Sequence, residues 1–295
     1  MAIDPTKLIG SATNAPIQSQ GQTTMERRIN AALVTGGGRG LGQAIAGQLA
    51  EAGAKVGILA RSVNEVESTA LAIRDCGGEA RGFVADVLDP GSLRKALTRF
   101  QDWAGGLDSL VCAAGRLNGI GPLATVDSDD WWLDVETALR GVPRTIREAL
   151  PLLRQSANAT VSVLVGPGHA TELPFASGYA MAQAGLVRLV ECLDRELRPD
   201  GIALYAVNPG LVPTSLVLHL LDSPEGRRWL PSFTEAFAEG KEVGPEVVAE
   251  MVRWLATERP LELSGRVVPA PATPMILETR LDRIQAEDLL RLRLR

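Results

Sequence analysis

Aromatic residues make up only 4% of this 295-residue chain, which has two tyrosines, two histidines and three cysteines. A phenol or imidazole that does chemistry here therefore has few candidates. Cys76, Cys112 and Cys192 are odd in number, far apart and without CxxC spacing. That excludes a disulfide framework and a cysteine-ligated metal, and fits free thiols in a reducing cytoplasm. No apolar run approaches the ~20 residues of a membrane helix, and the N-terminus lacks a basic stretch followed by an apolar core. An excess of positive charge is missing too: 30 basic side chains face 35 acidic ones, for a net charge of −5. Nucleic acid and anionic membrane surfaces are therefore not expected partners.

What is present is apolar content of 45% and 30 glycines, enough for one soluble domain built on a covered sheet. Residues 1–27 are rich in Ser, Thr, Gln, Asn and Gly without any period, and read as a flexible tail. From Arg28 the chain alternates between two patterns. Strands are expected at Ile29 to Val34, Lys55 to Ala60, Ala80 to Ala85, Ser109 to Cys112, Thr160 to Val165, Ile202 to Val207 and Arg266 to Val268. Helices are expected at Leu41 to Ala52, Val63 to Cys76, Ser92 to Trp103, Asp129 to Leu153, Ala176 to Leu197 and Pro245 to Ala256. Pro143 should bend the longest, because it cannot donate to residue 139 and its ring crowds that carbonyl. The alternation predicts a single α/β domain over residues 28–268: a doubly wound, parallel seven-stranded sheet with helices on both faces, a Rossmann fold.

Strand, glycine turn and helix follow one another at Thr35-Gly36-Gly37-Gly38-Arg39-Gly40-Leu41-Gly42. Gly36 permits the tight turn, Gly40 lets the backbone approach a pyrophosphate, and Gly42 lets the helix pack closely while its N-terminal amides face the phosphates. The second strand ends Leu59-Ala60-Arg61 with no carboxylate before Glu65, so nothing acidic waits for a ribose 2′-hydroxyl. Arg61 and Arg39 can instead embrace a 2′-phosphate through charge-assisted hydrogen bonds, which favours NADP(H) over NAD(H).

Spaced as Thr-Gly-x-x-x-Gly-x-Gly, the motif resembles the short-chain dehydrogenase/reductase family, and further stretches extend the resemblance from Ile29 to Val268. Asp86-Val87 looks like the family's adenine-contacting pair. Pro209-Gly210 with Thr214 matches the segment that touches the nicotinamide carboxamide, and Cys112-Ala113-Ala114-Gly115 stands where the family usually has Asn-Asn-Ala-Gly. The resemblance implies an oxidoreductase. It also implies a homo-oligomer, dimer or tetramer, formed through the helices Asp129 to Leu153 and Ala176 to Leu197.

The family's catalytic groups are Asn, Ser, Tyr and Lys. Tyr179 is retained, but Gln183 stands at the lysine position, Gly166 at the serine and Ala138 at the asparagine. Gln183 can still hydrogen-bond a ribose hydroxyl but brings no charge, so Tyr179 is expected to stay near the reference pKa of about 10, roughly one part in a thousand ionised at neutral pH. Losing tuned acid–base catalysis removes about 10²- to 10⁴-fold in rate. Ser162, Ser177, Thr171 and Tyr205 rebuild no second constellation. His169, in the loop after the fifth strand, either supplies a replacement acid or base or caps a turn. Asp134 and Glu136 read as solvated helix charges, and Glu172 and Cys112 are weaker candidates.

Residues 211–244 occupy the substrate-lid position. They carry Leu216, Val217, Leu218, Leu220, Leu221, Trp229, Phe233 and Phe237, which either receive an apolar small molecule or pack the lid onto the body or another subunit. Residues 269–295 form a proline-bounded amphipathic extension expected to reach over the lid or a neighbouring subunit. Three functions stay open: an oxidoreductase with weak or unconventional NADPH-dependent reduction, a non-catalytic NADP(H)-binding subunit or scaffold partnering an active homologue, and an enzyme of another reaction type reusing the cleft.

Overall fold

The computed structural model describes residues 28–293, so the tail expected over residues 1–27 lies outside it. β1 (Ala31–Thr35) is buried at every position, as a parallel strand covered on both faces must be. With β2 (Lys55–Ala60), β3 (Glu79–Val84), β4 (Ser109–Cys112), β5 (Thr160–Leu164), β6 (Ala203–Asn208) and β7 (Arg266–Pro269) it forms a seven-stranded sheet in the order β3-β2-β1-β4-β5-β6-β7. Every pairing is parallel, with Leu33 of β1 flanked by Gly57 and Leu110. The fold expected from the alternation is the fold observed.

Helices cover the sheet because their apolar residues recur three and four apart. α1 (Gly40–Glu51) buries Gly42, Ile45, Ala46 and Leu49, and shares one face of the sheet with α2 (Val63–Asp75) and α10 (Pro245–Thr257). The other face carries α3 (Pro90–Ala104), α5 (Gly141–Leu153) and α6 (Ser177–Leu197), through residues such as Phe100, Ile146 and Leu186. Local chemistry sets the ends. Ser62 accepts from the Glu65 N–H at 3.3 Å to start α2, and Asp89 accepts from the Gly91 N–H at 2.8 Å ahead of Pro90 in α3.

The long helix expected over Asp129 to Leu153 is two helices, α4 (Ser128–Leu139) and α5, joined at Arg140 with φ −106° and ψ −42°. The chain breaks at Arg140 rather than bending at Pro143. Pro143 falls in the first turn of α5, where no intrahelical donor is required, and the Leu139 carbonyl it would have crowded belongs to the preceding helix.

The lid region consists of α7 (Ser215–Asp222), α8 (Pro224–Trp229) and α9 (Pro231–Ala238). Beyond β7 come α11 (Pro274–Glu278) and α12 (Leu281–Ala286). The extension then closes on its own domain instead of reaching over the lid. The Val267 N–H donates to the Leu290 carbonyl at 2.8 Å, and the Leu292 N–H to Glu191 Oε1 of α6 at 2.8 Å. Arg266, buried at the sheet edge, holds the Leu289 carbonyl at 2.6 Å and Asp288 at 3.1 Å.

Candidate functional site

Strand order runs outward in both directions from β1 and β4, and the carboxyl ends of the strands there open a crevice, the usual ligand position in such sheets. A cleft of about 420 Å³ lies at that point, within the size range of ligand sites. Its floor is the glycine turn. A Cβ on Gly36, whose φ is +66°, would lie 2.7 Å from the Ala114 N, and a Cβ on Gly42 would lie 2.2 Å from the Gly36 carbonyl oxygen. Only bare backbone fits between β1, α1 and the turn after β4. α1 begins at Arg39 without a side-chain cap and without an acidic residue in its first turn. Its free N–H groups and positive dipole end therefore face the cleft, the physical requirement for a pyrophosphate. These residues fit a dinucleotide.

Among the expected cofactor residues Gly36, Gly38, Arg39, Gly40, Leu41, Gly42, Arg61, Asp86, Val87, Ala113, Ala114, Gly115, Gln183, Pro209, Gly210 and Thr214 all line this one cleft. Thr35 does not: its hydroxyl donates to the Val111 carbonyl at 3.4 Å, inside the sheet. Asp86 braces its own turn by accepting from the Leu88 N–H at 2.9 Å. Thr214 starts α7 by accepting from the Val217 N–H at 3.4 Å, with its side chain facing Gly40 across the turn. Arg39 is exposed and pairs with Glu65 at 3.5 Å; Arg61 is exposed and in no ion pair among the described residues.

At the other end of the cleft Ala138, Gly166, Tyr179 and Gln183 come together. Gln183 is 6% exposed, and its Oε1 accepts from the Gly166 N–H at 2.8 Å. The Gly166 carbonyl in turn accepts from His169 Nδ1 at 2.8 Å. A donor is required against a carbonyl, so Nδ1 carries the proton. Burial holds the His169 pKa below the ordinary imidazole value. The ring does not line the cleft; it closes the turn after β5. A Cβ on Gly166 would lie 2.0 Å from Tyr179 Oη, so the phenol fills the space a side chain at 166 would take.

Tyr179 is 8% exposed. Burial, with Asp134 as a second cause, pushes its pKa well above the ordinary phenol range, where the sequence had suggested an unperturbed value. Asp134 itself is buried on α4, four residues before Ala138 and on the same face, rather than solvated. Its carboxylate accepts from the N–H groups of Asn118 and Gly119 at 2.9 and 2.7 Å and pairs with Arg116 Nε at 3.3 Å. Burial raises its pKa against those partners. The four-residue spacing from Ala138 was the available signal for this residue. Glu136 instead pairs with Arg140 at 3.0 Å, and Cys112 is buried with its thiol pushed up to about 12, which leaves it inert. Ser177 accepts from Trp131 Nε1 at 3.0 Å, and Ser162 is buried in β5.

The apolar wall comes from the lid. Leu216, Val217, Leu220 and Phe233 line the cleft beside Leu117. Leu220 and Phe233 also pack with Ile120, Ala176 and Leu230 in a third core cluster. The lid therefore both seats on the body and faces the cleft.

A family model described as short chain dehydrogenase matches residues 30–223. The chain belongs to the short-chain dehydrogenase family. It is 30% identical to a short chain dehydrogenase, mpl6, of Monascus purpureus over 270 residues, 90% of this chain and 88% of the relative. It is 31% identical to the 3-oxoacyl-[acyl-carrier-protein] reductase FabG of Escherichia coli over 242 residues, 80% and 93% of the two chains. The solved Pseudomonas aeruginosa RhlG/NADP active-site complex superposes with a TM-score of 0.73 at 29% identity, covering 81% of this chain and 94% of that one. Membership in this short-chain dehydrogenase family makes the fold that of oxidoreductases that bind a nicotinamide dinucleotide. Among the described residues no helix is long and apolar enough to cross a membrane.

Proposed function

We propose that this short-chain dehydrogenase binds NADP(H) in preference to NAD(H) and performs ordinary ketone reduction slowly or not at all. Arg39 and Arg61 at the ribose end of the cleft support the cofactor preference, since guanidinium groups pair with a 2′-phosphate and no carboxylate ends β2. The NADP bound by the RhlG structure supports it by similarity. The bound dinucleotide would supply the hydride; the protein must supply the proton and polarise the carbonyl.

The observation that carries the proposal is the packing around Gly166. Tyr179 Oη fills the volume of the missing serine side chain, and the residue at the lysine position spends its acceptor on the Gly166 N–H. Tyr179 has neither a cation to lower its pKa nor a serine to share the oxyanion, and burial favours its neutral form further. Its O–H can bind a carbonyl oxygen but transfers a proton poorly. The apolar lid wall suits a hydrophobic small molecule. Exposed Trp132 on α4 and Met181 on α6 suit a homo-oligomer or an active homologous subunit. A non-catalytic NADP(H)-binding subunit is the second reading, favoured by the same Gly166 packing.

The test is titration with NADPH and NADP⁺ followed by a screen of hydrophobic ketones and secondary alcohols. Tight nucleotide binding with little turnover supports the proposal. Rapid turnover that Tyr179→Phe abolishes contradicts it.

A further inference from the structure

A second, open depression of about 580 Å³ lies between α3 and the start of α5 and shares no lining residue with the first cleft. It is lined by Arg94 of α3, Arg140 at the α4–α5 break, and Arg144 and Arg147 of α5, with Glu148 as its single carboxylate. Four cations around one concavity run against the chain's net charge of −5.

Internal pairing compensates only part of that charge. Arg94 lies 3.4 Å from Glu148, and Arg140 lies 3.0 Å from Glu136. Arg144 donates to the Leu88 carbonyl and, at 3.4 Å, to that of Val87. Those contacts orient the guanidinium without neutralising it. Arg147 is exposed and in no ion pair among the described residues. Residues 140, 144 and 147 are spaced by four and three, so they lie on one face of the helix. Pro143 stiffens the wall between them.

We propose that this cleft is a second anion site that takes a small phosphate-bearing ligand, separate from the dinucleotide. Guanidinium groups bind phosphate oxygens in planar, bidentate fashion, with hydrogen bonds roughly twice as strong as neutral ones. An orientation already fixed, as in Arg144, lowers the ordering cost of binding. A depression with cations from about two turns of α5 and from the neighbouring α3 suits a compact polyanion better than the extended face of an acidic protein.

The experiment is calorimetric titration of inorganic pyrophosphate into the full-length protein held in excess NADPH, at low and at moderate salt. The expected result is one site that weakens with salt, weakens about tenfold in Arg147→Ala and further in the Arg140→Ala/Arg147→Ala double variant, and is unchanged in Arg61→Ala. Arg147 is exposed, so its removal leaves the fold intact, with unchanged thermal unfolding as the control. Absence of binding, or an affinity indifferent to Arg147→Ala, overturns the proposal. So does binding of hexaglutamate where pyrophosphate gives no heat, which would assign the cleft to an acidic protein partner. Loss of pyrophosphate binding in Arg61→Ala would also overturn it, by placing the ligand in the dinucleotide cleft.

Discussion

Gly166 is bonded through both of its backbone polar groups, its N–H to Gln183 and its carbonyl to His169, while Tyr179 Oη fills its side-chain space. Single reversions toward the family pattern should therefore fail for different reasons. Gly166→Ser forces Tyr179 to move and should cost about 1–3 kcal/mol in denaturant unfolding, the usual range for overpacking. Gln183→Lys removes the acceptor from the Gly166 N–H, should cost a similar amount of about 1–3 kcal/mol, and should bring little activity alone. The combination Ala138→Asn, Gly166→Ser and Gln183→Lys is the one expected to raise ketone turnover, measured as NADPH oxidation. His169 gives a pH signature. Its folded pKa is depressed, so the unfolded chain binds more protons, and its contribution is full above the unfolded value of about 6.5 and lost as pH falls through the lower folded value. His169→Asn should flatten the stability profile on that acid side, as chemical denaturation across the pH range will show. Glu65 competes for Arg39. Glu65→Gln should tighten NADPH several-fold while leaving NADH nearly unchanged, measured by nucleotide fluorescence. The glycine turn and the place of both arginines beside it in the cleft were legible in the sequence because each follows from the local order of strand, turn and helix. The burial of Asp134 and the triangle around Gly166 were not, since they depend on side chains from α4, α6 and the loop after β5 meeting in space.

At the scale of elements, spacing located the strands to within a residue or two and left the irregular parts open. Pro143 signalled a disturbance, but its placement in a first helical turn, with the break at Arg140, follows from how α4 and α5 pack separately. Pro224 and Pro231 begin α8 and α9, local signals for short lid helices that an apolar count alone passes over. The return of the C-terminus was illegible, because it rests on Glu191, Arg266 and Asp288 meeting across distant stretches of chain. That return covers β7, the edge strand. A chain ending at Glu287 should lose thermal stability and associate in a concentration-dependent way through the bared edge, as light scattering would detect. An unchanged monomer-to-oligomer balance would count against this role.

Across the whole molecule, one cleft of this short-chain dehydrogenase carries the glycine turn with Arg39 and Arg61 at one end and the buried Tyr179 at the other. On the proposed function, cofactor recognition and proton transfer draw on different ends of that cleft, so one would persist while the other is lost. The most direct test of that separation is a single preparation assayed twice: NADPH binding by fluorescence titration, then turnover of hydrophobic ketones under saturating NADPH, with Tyr179→Phe alongside. Saturable NADPH binding, with ketone turnover slowed by at least about 10²-fold relative to the triple revertant and barely altered by Tyr179→Phe, is the predicted result. Fast reduction in the natural protein that disappears in Tyr179→Phe would contradict it.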